Sequence, residues 1–334
     1  MSGSVFGSLF SGGGGADIGA KAAGFELAFA IEKDPQIAEI YSVNCGNHVR
    51  VQGVEDVNPF SLPKVDVLWI SPPCQGHSIA RSKKLPSRND GDIGLACIPY
   101  LQVLQPQWVF LENVELYKNA ASFQEIVDTL HRLGYWTHWQ ILNAADFGVP
   151  QTRRRLILRA VKGGFLPPLE TPISWNGWYE AIADIIDTLP ESRFADWQLK
   201  RLPQDLLETS LVDSTHTIRQ ATVRGFCQPA PTVAAEWMRR PASTPKAFLV
   251  SKNSSLDIRY QDEPATTVLA EKPLDARAWL SQGRVVAMTA RAIARFQTFP
   301  DTYQLPDRKS LACKVIGNAV PPLFAQKLLE TASV

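Results

Sequence analysis

The chain has 334 residues, 45% of them hydrophobic, with 34 lysines and arginines against 33 aspartates and glutamates, a formal net charge of +1. That length suits one large domain or two unequal ones, and this composition excludes a mainly disordered chain and argues against a protein that coats nucleic acid non-specifically, though not against a local basic surface. There is no apolar run of about 18 residues to span a membrane, and the apolar start at Val5 to Phe10 lacks the cations of a secretory leader, so the chain reads as cytoplasmic.

In chain order, short apolar runs alternate with helical patterns, the signature of βαβ units and a parallel sheet. Val5 to Phe10 predicts a strand ending in Ser11-Gly12-Gly13-Gly14-Gly15, and a helix follows from about Ala16 to Gly24. Phe25 to Ile31 predicts a second strand, after which Asp34-Pro35 opens a helix as N-cap and first-turn proline. Val65 to Ile70 and Gln107 to Leu111 predict two more buried strands. Phe123, Ile126, Val127 and Leu130 recur at helical spacing ahead of Gly134, which predicts an amphipathic helix with a glycine cap. Leu156 to Ala160 predicts a strand behind three arginines. From about Gly163 to Gly283 the texture changes to many prolines and tryptophans with little helical period. Two stretches there echo each other, Pro229-Ala-Pro-Thr-Val-Ala-Ala-Glu and Pro264-Ala-Thr-Thr-Val-Leu-Ala-Glu, and predict similar strand-turn elements at most. Helical pattern returns at Val285 to Phe296, and a last helix is expected from Pro321 to Thr331. The expected fold class is α/β, a doubly wound and mostly parallel sheet with a second, smaller, irregular domain.

Five cysteines, at positions 45, 74, 97, 227 and 313, form no Cys-x-x-Cys pair, so neither a disulfide framework nor a metal site is expected. Cys45 and His48 would make half a metal site, with no second half.

In doubly wound sheets ligands bind at the carboxyl ends of the strands. The glycine run, Glu32, Cys74 and Glu112 each follow a predicted strand and so line one edge. Glycines between strand and helix let a ligand approach the backbone, although four in a row also suit a linker. Their spacing is not the usual dinucleotide fingerprint, which disfavours a nicotinamide cofactor. Glu32 suits either ribose hydroxyls or plain solvation at a strand end. In Ser71-Pro72-Pro73-Cys74-Gln75 two prolines fix the backbone and display the thiol as a candidate nucleophile, against the commoner fate of a buried structural cysteine. Glu112-Asn113-Val114 puts a carboxylate at the neighbouring strand end, where a proton donor would be useful. In Gln151-Thr152-Arg153-Arg154-Arg155, alternation points Arg153 and Arg155 one way and Arg154 the other.

In this order these residues resemble the cytosine-5 DNA methyltransferases. Phe10 to Gly15 is similar to that family's first motif, Glu32 to its second, and Asp56 in Val54-Glu55-Asp56-Val57 to its third. Pro72-Pro73-Cys74-Gln75 resembles the catalytic motif, followed by Glu112-Asn113-Val114 and Gln151 to Arg155. Arg291 to Asp301 and Gly317-Asn318-Ala319-Val320-Pro321-Pro322 resemble the last two motifs, leaving about 165 to 285 uncovered. Departures are His77 for a frequent Phe, Lys33 where an aromatic often stacks on adenine, and Ala292 and Thr298 for a usual Glu and Gly.

The resemblance implies a Rossmann-like, class I methyltransferase-like fold. Residues 1–164 would form the catalytic and cofactor-binding domain, 165–284 a target-recognition domain, and 285–334 a segment returning to the first. It implies S-adenosylmethionine as methyl donor, with S-adenosylhomocysteine as product, and double-stranded DNA as partner. A metal and a membrane are not called for; the protein would be monomeric and bacterial or phage-encoded, with room for a cognate restriction endonuclease. The implied catalytic residues are Cys74, Glu112, Arg153 and Arg155. The implied donor contacts are Phe10, Gly12, Gly14, Gly15, Glu32, Asp56, Pro73, Asn318, Ala319 and Val320. Cys74 would add to carbon 6 of a flipped-out cytosine at a specific short sequence while Glu112 serves ring N3.

Gly76 to Gly94 fits a lid over that base, with glycines as hinges and Arg81, Lys83, Lys84 and Arg88 against Asp90 and Asp92. Candidate DNA contacts are Gln75, Ser78 and those four cations, with Arg239 and Arg240, and also Arg219, Arg224 and Arg259, as base readers in the second domain. Two alternatives stand beside this reading. One is a transfer RNA cytosine methyltransferase, whose Cys-Phe-Thr signature is absent here, the nearest pair being Phe226-Cys227. The other is a DNA-binding regulator that kept the fold without catalysis, a role with no need of Cys74, Glu112 and Arg153 together.

Overall fold

The computed structural model describes residues 4–73, 93–170, 174–194, 247–252, 256–267, 277–280 and 284–332. Its first sheet has seven strands: β1 (Val5–Leu9), β2 (Glu26–Glu32), β3 (Val49–Val51), β4 (Val67–Ile70), β5 (Trp108–Asn113), β6 (Tyr135–Asn143) and β7 (Arg154–Lys162). They lie in the order β3-β2-β1-β4-β5-β7-β6, and only β7 runs against its neighbours. The chain winds outward from β1 one way and from β4 the other, so the switch point falls between these two strands. That is the crevice where such sheets bind ligands.

Alternate residues of the central strands bury on opposite faces, as a sheet covered on both sides requires. Leu68, Ile70, Val109, Leu111, Leu156 and Leu158 face a core with α3 (Ile98–Leu104) and α4 (Ala121–Arg132). Val67, Trp69, Trp108, Phe110, Ile157 and Val161 face one with α1 (Gly15–Ala22) and the last helix. The boundaries agree closely with expectation at β1, β2, β4 and β5. Asp34 caps α2 (Pro35–Cys45) by accepting from the Gln36 N–H at 3.1 Å, and Gly134 takes a φ of +83° just past α4.

Three further helices close the chain: α5 (Ala290–Phe296), α6 (Lys309–Asn318) and α7 (Pro322–Leu329). Helix α7 packs directly on α1, and glycine makes the approach possible: a Cβ at Gly15 would lie 2.2 Å from the Val320 carbonyl oxygen, and one at Gly19 2.4 Å from that of Pro322.

The second region is more regular than expected. Its described part holds an antiparallel sheet, β8 (Ala247–Lys252), β9 (Leu256–Tyr260), β10 (Arg277–Leu280) and β11 (Val285–Ala287), in the order β11-β10-β8-β9. The helical pattern expected from Val285 therefore begins as a strand, because Val285 to Ala287 pair with β10; the helix starts only where the Thr289 hydroxyl caps it by accepting from the Ala292 N–H. Trp178, Ile182, Ile186 and Leu249 share one core with Ile293, Phe296 and Val315, and with Ile37 and Ile40 of α2. The second Pro-Ala echo is used locally: Ala265 forms a bridge with Gln151, and Thr152 donates to its carbonyl at 2.8 Å. The first echo lies outside the described residues.

Candidate active site

The carboxyl edge at the switch point gathers most of the residues singled out above. Strand β1 ends at Leu9, and Phe10 turns the chain with a φ of +59°. Gly12 and Gly14 follow at +55° and +84°, a conformation that glycine adopts without penalty, and the Gly14 N–H closes the turn onto the Ser11 carbonyl at 3.0 Å. Glu32, at the end of β2, reaches across: one carboxylate oxygen accepts the Gly12 N–H at 3.0 Å, the other that of Asp34 at 2.8 Å. Asp56 sits exposed in a short helical turn beyond β3, which Tyr100 secures through the Val54 carbonyl at 2.6 Å. On the far side, Ala319 and Val320 are buried against the start of α1, while Asn318 is exposed at the end of α6.

The exit of β4 is held at two points. Ser71 donates its N–H to the Leu9 carbonyl at 3.3 Å, and the Asn113 amide donates to the Pro72 carbonyl at 2.9 Å. Pro73 is half-buried and is the last described residue before Cys74. Cys74 itself, with Gln75, Ser78, Arg81, Lys83, Lys84 and Arg88, lies outside the described residues, as do Arg219, Arg224, Arg239 and Arg240. Gly94, named as a hinge, is buried, and a Cβ there would meet the Tyr117 hydroxyl at 2.1 Å; close packing accounts for this glycine. Arg259 is half-buried in β9.

Glu112 is buried on β5, and its carboxylate lies 2.9 Å from the Nε of Arg155 on the adjacent β7. The arginines divide as alternation requires. Arg154 points outward to Glu115 at 3.3 Å, whereas Arg153 is buried and donates twice, at 3.1 Å each, to the Gly317 carbonyl in the last turn of α6. Arg153 therefore joins the chain ahead of β7 to the segment that leads into Asn318, Ala319 and Val320.

A further cluster escaped the sequence reading. Asp17, fully buried in the first turn of α1, accepts from the Ser8 hydroxyl at 2.7 Å and from the Tyr41 hydroxyl at 2.8 Å. Tyr41 is also 2.7 Å from a ring nitrogen of His48. Burial pushes the Asp17 carboxyl up to about 6, against the two hydroxyl hydrogen bonds that pull it down. An acid in the first turn of a helix that follows a glycine run was the available signal. Among the described residues there is no group of three or more His, Cys, Asp or Glu placed to hold a metal ion.

The sequence profile of C-5 cytosine-specific DNA methylases matches residues 5–333. The chain belongs to that family. The enzyme is 28% identical over 338 residues to the Type II methyltransferase M1.HphI of Haemophilus parahaemolyticus, covering 96% of this chain and 84% of that one. It is 30% identical over 334 residues to the Type II methyltransferase M.AplI of Arthrospira platensis, covering 98% and 84%. Among solved structures, a methyltransferase of Entamoeba histolytica shares the fold with a TM-score of 0.64 at 16% identity, over 99% of this chain and 98% of that one. The enzyme is thus a DNA cytosine-5 methyltransferase, and enzymes of this kind take their methyl group from S-adenosylmethionine. The glycine turn fits such a ligand: its backbone is open at Gly12, where a Cβ would meet nothing within 4 Å, and Glu32 stands beside it with carboxylate lone pairs.

Proposed function

We propose that this enzyme methylates carbon 5 of a cytosine flipped out of duplex DNA at a specific short sequence, through a transient bond between Cys74 and the base. The observation that carries the reading is the buried Glu112–Arg155 pair, one residue from the Asn113 amide that tethers the entry to Cys74. Carbon 5 of cytosine is a weak nucleophile until a group adds to carbon 6. The Cys74 thiolate forms that S–C6 bond while Glu112, entering the step in its protonated form, hydrogen-bonds or protonates ring N3, so the displaced electron pair becomes available at carbon 5. Phe10, the glycine turn, Glu32, Asp56, Pro73 and the 318–320 segment would hold S-adenosylmethionine, which would supply an electrophilic methyl group to carbon 5, its sulfur–methyl bond breaking as the C–C bond forms and S-adenosylhomocysteine leaving. A base then takes the carbon-5 proton, the S–C6 bond breaks, the thiolate leaves, and N3 gives up any proton it took from Glu112. Arg155 orients Glu112 and the bound base, and Arg153 holds α6 against the site.

Flipping costs a few kcal/mol of lost stacking and pairing, which contacts to the DNA offset. We assign those contacts to the cationic stretch from 76 to 94 and to a target-recognition domain at 165–284, with 1–164 and 285–334 forming the catalytic domain. The Type II relatives support a role in modifying the site of a cognate restriction endonuclease. Incubating the protein with labelled S-adenosylmethionine and either duplex DNA or transfer RNA, then sequencing the DNA after bisulfite treatment, tests the reading. It predicts 5-methylcytosine confined to one short context; label in transfer RNA alone would overturn it.

A further inference from the structure

Four consecutive glycines lose more conformational freedom on ordering than any other tetrapeptide, so a ligand that must order them binds more weakly. Here the turn is held from behind by a residue almost three hundred positions away. The Tyr303 hydroxyl donates to the Gly13 carbonyl at 2.7 Å, with Tyr303 2% exposed and its ring 4.7 Å from that of Phe299. Burial, and then the neighbouring Cys45, raise the pKa of this hydroxyl, so it keeps the proton it donates. The contact is close: a Cβ at Gly13 would lie 2.7 Å from that oxygen. Tyr303 is itself braced, because Arg291 donates to its carbonyl at 2.6 Å and Gln304 and Asn44 exchange hydrogen bonds of 2.7 and 3.1 Å. A peptide is planar, so fixing the Gly13 carbonyl also fixes the Gly14 N–H that closes the turn onto Ser11.

We propose that Tyr303 is a positioning residue for the methyl donor, keeping the glycine turn in its binding conformation before the ligand arrives. The proposal rests on the reading of that turn as the donor site. Its test is Tyr303→Phe, which removes one oxygen and keeps the ring, beside Glu32→Ala as a benchmark for the site. By calorimetry with S-adenosylhomocysteine, Tyr303→Phe should weaken binding about fivefold, which corresponds to about 1 kcal/mol. At saturating donor, kcat and the KM for DNA should stay within twofold. If Glu32→Ala weakens binding and Tyr303→Phe does not, the role of Tyr303 is overturned and the site reading survives. If neither does, the site reading fails and the proposal with it. A parallel loss of kcat, DNA affinity and melting temperature would mark Tyr303 as merely structural and overturn the proposal. Should Tyr303→Phe not fold, Asn44→Ala, which loosens the turn at Gln304, must weaken donor binding two- to threefold; no change would overturn the proposal.

Discussion

Glu112 and Arg155 expose 8% and 14% of their side chains, so their 2.9 Å contact is largely shielded from solvent and salt. If Glu112 handles the N3 proton, Glu112→Gln should lower kcat by roughly 100-fold or more while leaving S-adenosylhomocysteine affinity unchanged, as followed by labelled methyl transfer and calorimetry. Arg155→Ala would strand a buried carboxylate, so it should also destabilise the fold by about 3 kcal/mol in chemical denaturation. Asp17 gives a separate signature. Its folded carboxyl takes a proton near 6 and its unfolded one near the ordinary 3.8, so between those values the folded state binds more protons. Its contribution to stability is therefore greatest below about pH 4, falls as pH rises to about 6, and is level above. Asp17→Asn should remove that slope: the stability of the variant relative to the wild type, from urea melts at pH 4, 5 and 7, rises with pH. A flat difference would refute it.

At the scale of elements, the positions that are easy to read from sequence are those where one local rule dominates. Asp34-Pro35 starts α2 because a carboxylate cap and a preset φ act within three residues. The buried strands β4 and β5 stand out because both faces are covered and the residues are apolar throughout β4 and as far as Leu111 in β5. Strand β6 was not legible. It is an edge strand with Trp136 70% exposed, and Tyr-Trp-Thr-His-Trp-Gln carries no clean alternation. Thr298 shows the same limit at a helix boundary. It occupies a φ of +63°, where the family usually has glycine, and its hydroxyl accepts the Leu323 N–H at 3.0 Å in the first turn of α7. That hydrogen bond offsets the backbone strain, so Thr298→Ala, which keeps the strain and loses the bond, should cost about 1 kcal/mol in equilibrium unfolding. Thr298→Gly should cost less. An alanine variant as stable as the wild type would show that the bond to α7 contributes nothing.

For the whole molecule, topology made much of the candidate site readable. A doubly wound sheet brings the carboxyl ends of β1, β2, β4 and β5 to one edge, so residues more than one hundred positions apart in sequence could be assigned to one site. The arginine pair follows from strand alternation in the same way. What alternation does not encode is packing between distant segments. Trp178, Ile182 and Ile186 join α5, α6 and α2 in one core, and Arg153 turns to Gly317 across 164 positions, with no local period to announce either. Likewise the Asp17–Tyr41–His48 chain, buried at its Asp17 end, exists only once α1 and α2 have packed. The proposed reaction depends above all on the sulfur of Cys74, and incubation with duplex DNA carrying 5-fluorocytosine at the target position tests it most directly. Fluorine blocks loss from carbon 5, so the wild-type protein with S-adenosylmethionine should accumulate a complex with DNA that survives denaturing electrophoresis, and Cys74→Ser should form none. An equal adduct in Cys74→Ser, or no adduct from a wild-type protein that methylates ordinary cytosine, would contradict it.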